Sequence, residues 1–284
     1  MTTPRNNRYN ALTVDVEDYF HVAAFDSTIS PSQWDSMPQR VENNTRQLLD
    51  LFARHNAKAT FFILGWVAER FPGLVKDIHQ QGHEVASHGH DHAKASSQSA
   101  SQFLHDIVKA RKVLEDLIGQ PVTGYRAPSF SIGKQNEWAF EKLCEAGYRY
   151  SSSTYPVKHD LYGTPDWPQQ PYFRPEGIWE CPMPTLNMMG RQLPIAGGGY
   201  FRLLPYWLSR RFIQRYLTQV SSPYMFYFHP WEIDALQPRI QGAPLKSRFR
   251  HYTNLHRMEA KLGRLLEDFQ WRSLNQVYQP YFSR

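Results

Sequence analysis

Apolar positions in the first 150 residues follow two alternating patterns. One is the short continuous run. Ala11 to Val16, Ala59 to Leu64, His83 to Ser87, Val122 to Arg126 and Tyr148 to Ser152 each read as a buried strand. The other is the 3.6-residue stripe. Val41 to His55 carries Leu48, Leu49, Leu51 and Phe52. Ser101 to Ile118 carries Phe103, Leu104, Ile107, Val108, Leu114 and Leu117, and Gly119 stops it. Further helices are predicted over Trp66 to Gln80, with Gly82 just past its end, and over Asn136 to Glu145. Ile178 to Cys181 and Met225 to His229 add two more strands.

Strand–helix units joined by right-handed crossovers make a parallel sheet covered by helices. The helices are too many for one face, so the prediction is an α/β barrel or a doubly wound sheet. Either architecture puts reactive side chains at the carboxyl ends of strands. The acids of 15 to 18, His88, Arg126 and His229 all fall there. Four strands delivering polar groups to one rim is hard to explain as packing. Ser153 to Leu203 is rich in Pro, Gly, Tyr and Trp and reads as long loops walling a cleft. Its Gly197-Gly198-Gly199 lacks the Lys-Ser/Thr of a phosphate loop and reads as a tight backbone passage.

Composition narrows the class. At 284 residues the chain suits one large α/β domain, or a domain with an extension. No run of ~18 uncharged apolar residues occurs, so no transmembrane segment is predicted. Met1 to Asn10 is polar and lacks a signal core, so a cytoplasmic location is expected. Cys144 and Cys181 are far apart and read as free thiols. The net charge is +6, but the basic residues are scattered. The densest cluster, Lys246, Arg248, Arg250 and His251, reads as a solvated basic face, and nucleic acid is not the expected partner.

Two constellations carry chemistry. In Ser87-His88-Gly89-His90-Asp91-His92, a helical turn would put His88 and His92 on one face, able to share a metal. His90 would point away, toward solvent or a supporting contact. In Asp15-Val16-Glu17-Asp18, three carboxylates crowd a strand end, which is costly unless they are solvated or hold a cation. Asp15 follows a buried-type run and so needs a partner, for which Arg126 is available. One carboxylate with two imidazoles suits zinc; iron, cobalt or nickel are alternatives. Such a metal polarises an acyl carbonyl and acidifies bound water. His229, in Phe228-His229-Pro230-Trp231, is placed to protonate a leaving nitrogen.

These motifs, with Ala59-Thr60-Phe61-Phe62 and Arg126-Ala127-Pro128, stand in the order found in polysaccharide deacetylases with a NodB-type catalytic domain (carbohydrate esterase family 4), which the chain resembles over roughly residues 10 to 235. Later segments resemble a narrower branch associated with exopolysaccharide and exosortase clusters: Gly198-Gly199-Tyr200-Phe201-Arg202, His229-Pro230-Trp231-Glu232-Ile233-Asp234 and His251-Tyr252-Thr253-Asn254-Leu255. The resemblance implies a distorted (β/α) barrel of about seven strands over 1–236, with a helical extension over 237–284 packed on it. It implies Asp15 as general base, Arg126 orienting it, and His229 as general acid. It implies His88 and His92 as ligands of a divalent metal, most simply Zn2+ (Co2+, Ni2+ or Fe2+ as alternatives). Glu17 fits the spacing of the third ligand and Asp18 its side-chain length, so both stay open. Ser151-Ser152-Ser153 departs from the branch, where an Asp follows the position of Tyr150.

The implied function is metal-dependent removal of N-acetyl groups from N-acetylhexosamine units of a polysaccharide or its precursor. Two alternatives are a C–N hydrolase of a small amide or ureide on the same fold, and a non-catalytic glycan-binding barrel. Trp167, Tyr172, Trp179, Tyr200 and Trp231 are candidates for stacking on sugar faces.

Overall fold

The computed structural model describes residues 8–158, 163–188 and 190–283. The polar N-terminal segment noted above therefore lies, up to residue 7, outside the described residues. The first half alternates: β1 (Tyr9–Val16), α1 (Val41–Arg54), β2 (Thr60–Ile63), α2 (Gly65–Arg70), α3 (Pro72–Gln80), β3 (Glu84–Ser87), α4 (Ala100–Ile118), β4 (Gly124–Tyr125), α5 (Trp138–Glu145) and β5 (Tyr150–Ser151). Next come β6 (Tyr172–Phe173), β7 (Trp179–Glu180), β8 (Thr185–Met188), β9 (Arg191–Pro194), α6 (Gly198–Leu203), α7 (Tyr206–Gln219) and β10 (Met225–Phe228). The chain finishes with α8 (Leu245–Tyr252), α9 (Met258–Asp268), β11 (Gln270–Arg272) and α10 (Leu274–Phe282).

Seven strands run parallel in the order β10-β1-β2-β3-β4-β5-β7, with β6 antiparallel on the outer edge. This is the curled, helix-covered sheet of a distorted barrel. Apart from Tyr9, every residue of β1 is buried, as expected for a strand covered on both faces. Among the described residues no helix is long and apolar enough to cross a membrane.

The chain after residue 236 is tied into this sheet. β11 pairs with the start of β1 (Tyr9↔Gln270 to Ala11↔Arg272). At the opening turn of α10, the Leu274 N–H donates to Thr60 Oγ1 at 2.7 Å and the Asn275 N–H to Glu84 Oε2 at 3.0 Å. Trp271, 2% exposed, donates its indole N–H to the Leu265 carbonyl at 3.1 Å.

Two local expectations are corrected. The single helix predicted over Trp66 to Gln80 is two helices. Pro72 opens α3, and Phe71 before it leaves the helical region at φ −125°, ψ 58°, because the proline ring disfavours α geometry in the preceding residue. The segment Ser153 to Leu203 is not all loop. β8 and β9 form an antiparallel hairpin, and Gly190 takes φ 78° at its turn.

Candidate active site

Strand register assembles the site. Val14 sits opposite Phe228, so Asp15 and His229 leave neighbouring strands side by side. Ser87 sits opposite Tyr125, so His88 and Arg126 do the same. All four lie at the carboxyl rim of the sheet.

Arg126 is fully buried. Its Nη1 donates to Asp15 Oδ1 at 2.6 Å and to Thr13 Oγ1 at 2.9 Å. Its Nε and Nη2 donate to the carbonyl and hydroxyl of Ser152, each at 3.1 Å. The guanidinium also lies over Phe62, 4.2 Å from the ring centre. A buried carboxylate and a buried cation thus satisfy each other, and the pair orients the Asp15 carboxylate.

Glu17, His88 and His92 bring one ligating atom each within 4.8 Å of one another. The His88 Nδ1 lies 2.9 Å from the Arg126 carbonyl, which can only accept. Nδ1 therefore carries the proton, and the Nε2 lone pair is left for the cluster. Burial pushes the His88 pKa down to about 4, keeping the ring neutral. Glu17 Oε2 lies 2.6 Å from His92 Nε2, yet among the described residues this buried oxygen has no aligned hydrogen-bond donor. Burial opposes its charge, but the imidazoles of His92, His229 and His88 outweigh that and hold the carboxyl well below the usual carboxylate range. Two imidazole nitrogens and a carboxylate oxygen, converging without a donor aligned between them, fit a divalent cation.

Asp18 is engaged elsewhere. It accepts the backbone N–H groups of Tyr19 (2.9 Å), Arg40 (2.6 Å) and Val41 (2.9 Å), capping α1 from 22 residues away. The turn through His88 to His92 is not helical. Gly89 at φ 75° and His92 at φ 53° fold the chain back on itself and bring the rings to 5.5 Å. His90 does not face solvent: it is 3% exposed and packed beside Glu69 and Asp91. The Asp106 carboxylate accepts the His90 and Asp91 backbone N–H groups at 3.0 and 3.3 Å.

His229 closes the site. Its Nε2 lies 3.4 Å from Glu17 Oε1 and 4.0 Å from Asp15 Oδ2. Its Nδ1 lies 2.9 Å from Glu232 Oε1. Burial alone would lower its pKa, but Glu17, Glu232 and Asp15 together push it up to about 9.

Residues 30–151 match the polysaccharide deacetylase family, and residues 152–279 match a domain of unknown function, DUF3473. Over residues 30–151 the chain carries a polysaccharide deacetylase domain. A peptidoglycan-N-acetylglucosamine deacetylase of Bacillus cereus is 36% identical over 105 residues, which is 37% of this chain and 47% of that protein. The peptidoglycan-N-acetylglucosamine deacetylase PgdA of Listeria monocytogenes is 41% identical over 91 residues, 32% of this chain and 20% of that protein. The matched region thus spans less than half the length of either relative. A crystal structure from Mycobacterium smegmatis, described as a polysaccharide deacetylase, superposes with a TM-score of 0.60. It is 17% identical and covers 99% of this chain and 92% of that one, so the fold is shared end to end.

At the rim, the reading of isolated motifs missed a buried support behind His229. Glu232 meets Arg202 Nε through Oε2 at 2.7 Å, both residues being essentially unexposed. Arg202 also donates to the carbonyls of Arg250, His251 and Thr253. Gly198 has to be glycine: a Cβ there would lie 2.3 Å from Glu232 Oε1. The sequence signal was the clustering of Arg202, Glu232 and His251 in three motifs of the same branch. Trp231 is not a sugar platform, since it is stacked between His229 (5.2 Å) and His251 (4.1 Å). Trp179 packs on Phe282 and Tyr281, and Trp167 on Phe140.

Proposed function

We propose that this protein is a metal-dependent hydrolase that removes N-acetyl groups from N-acetylhexosamine units of a polysaccharide or its precursor. The observation that carries the reading is the convergence, on one rim, of an Arg-held carboxylate, a three-ligand cluster and a raised-pKa imidazole. A divalent cation held by Glu17, His88 and His92, most simply zinc, would supply Lewis-acid polarisation of the acyl oxygen and acidify a water. Asp15, fixed by Arg126, takes the proton from that water as its oxygen bonds to the acyl carbon. His229, held protonated by Glu17 and Glu232, gives a proton to the nitrogen as the C–N bond breaks. Acetate and a free amine leave, and the proton gained by Asp15 balances the one lost by His229.

The names of the related proteins favour N-acetylglucosamine as the sugar. The narrower assignment, to exopolysaccharide biosynthesis, draws support from the meeting of Arg202, Glu232 and His251 behind His229. The non-catalytic alternative is disfavoured by the presence of both Asp15 and His229 in working geometry.

The test is Asp15→Asn, assayed by acetate release from an N-acetylglucosamine oligomer alongside metal analysis. Turnover is expected to fall by about 10²–10⁴-fold with metal content unchanged. Unchanged turnover would refute the base, and parent protein releasing no acetate from any N-acetylated oligomer would refute the function.

A further inference from the structure

Helix α8 turns its large apolar side chains outward. Leu245 and Phe249, one turn apart, are 80% and 63% exposed. The residue it buries is His251, whose ring lies flat on Trp231 at 4.1 Å. At about 100° per residue, His251 is roughly opposite Phe249 around the helix axis. Buried His251 and half-buried Tyr252, whose hydroxyl accepts the Ile240 N–H, hold the helix, and Leu245 and Phe249 stand out from it as an apolar ridge. Lys246 and Arg250 border the ridge on one side and Arg248 on the other. From Ala235 to Met258 the chain has five Lys or Arg and no Asp or Glu. Leu236, 87% exposed, precedes Gln237, whose Oε1 meets His251 Nε2 at 2.6 Å. Leu203, 51% exposed, follows Arg202, which bonds to the end of α8.

Apolar side chains bordered by cations match the headgroup region of an anionic bilayer. The apolar ridge enters the acyl boundary and the cations lie among lipid phosphates. We propose that α8, with its flanking loop, docks this protein on an anionic membrane surface. A soluble polyanion would engage the cations but give Leu245 and Phe249 nothing, since their gain requires an apolar medium. Because Trp231 is sandwiched between His251 and His229, the docking helix stands one aromatic layer from the catalytic rim. The docking itself does not depend on the proposed chemistry and is tested without it.

The experiment is co-sedimentation of the full chain with phosphatidylglycerol-containing vesicles and with phosphatidylcholine vesicles. Binding is expected to the first and not the second, and is expected to be lost at about 0.5 M salt. Leu245→Ser combined with Phe249→Ser is expected to weaken partition at least about tenfold. Lys246→Gln, Arg248→Gln and Arg250→Gln together are expected to weaken it about a hundredfold. Thermal melts of each variant check that the fold is kept. Absence of binding to anionic vesicles would overturn the proposal. So would partition into anionic vesicles indifferent to the serine pair, which would make the patch a polyanion site.

Discussion

Glu232 accepts from His229 on one carboxylate oxygen and from Arg202 on the other, at 2.9 and 2.7 Å, and both Glu232 and Arg202 are buried. This bond sets both the orientation of the imidazole and its affinity for a proton. Burial holds against the charge of Glu232, but Arg202 and His229 outweigh it and keep the carboxyl below its ordinary range. Glu232→Gln keeps the shape and removes the charge. The His229 pKa, pushed up to about 9, is then expected to drop by about one unit or more. The protonated imidazole is the active form, so the alkaline limb of the kcat/KM profile moves to lower pH. A profile whose alkaline limb stays in place would show that Glu232 does not tune His229.

Glu17 and Asp18 are adjacent in sequence and are expected to fail in different ways. Glu17→Gln removes the ligand's negative charge: metal content measured after dialysis is expected to fall while the melting temperature of the metal-free protein changes little. Asp18→Ala removes the acceptor for three backbone N–H groups at 2.6–2.9 Å. It is expected to cost about 1–2 kcal/mol in urea unfolding and to leave metal content intact. The reverse pattern would move the third ligand to Asp18.

Gly198 and Gly199 give a paired control. A Cβ at 198 would lie 2.3–2.4 Å from both Glu232 oxygens, whereas one at 199 meets nothing within 4 Å. Gly198→Ala is expected to destabilise by about 1–3 kcal/mol and to depress activity by displacing Glu232. Gly199→Ala, inside α6, is expected to be neutral or to stabilise by about 0.4–1 kcal/mol. Equal effects would show that Gly198 is not packed on Glu232.

His83 is expected to govern part of the acid stability. Its Nδ1 accepts the Ala59 N–H at 3.1 Å, and burial, with Lys58 adding to it, pushes its pKa down from 6.5 to about 4. Below about pH 6.5 the unfolded chain takes up a proton that the native imidazole refuses until about pH 4. The contribution is thus complete above pH 6.5 and is lost as the pH falls toward 4, about 3 kcal/mol in all. His83→Asn keeps an acceptor for Ala59 and does not titrate. The gap between its urea midpoints at about pH 7 and about pH 4.5 is expected to be smaller than in the parent, and an identical gap would exclude the role.

The strands were readable because a helix-covered parallel strand is apolar on both faces, and a continuous apolar run is a local property. The pairing of Asp15 with Arg126 was readable for a similar reason: a carboxylate drawn into the interior requires a cation, and Arg126 stood at another strand end. The break at Pro72 was written locally in the Phe71-Pro72 pair, while the helical periodicity concealed it. The His88 to His92 turn was misjudged because a four-residue spacing meets on a helix and also on a loop bent by Gly89 and His92.

Residue order along this chain therefore determined the sheet, the rim and the residue types gathered there. Tertiary structure decided which acid faces the histidines, since the N–H groups of α1 claim Asp18 and leave Glu17 free to turn inward. It also decided that Arg202, Glu232 and His251 stand behind His229. Those choices depend on unpaired backbone donors and buried charges finding partners across long sequence separations. A strand's alternation is carried by adjacent residues; the partner of a buried charge is known only once the chain has folded around it.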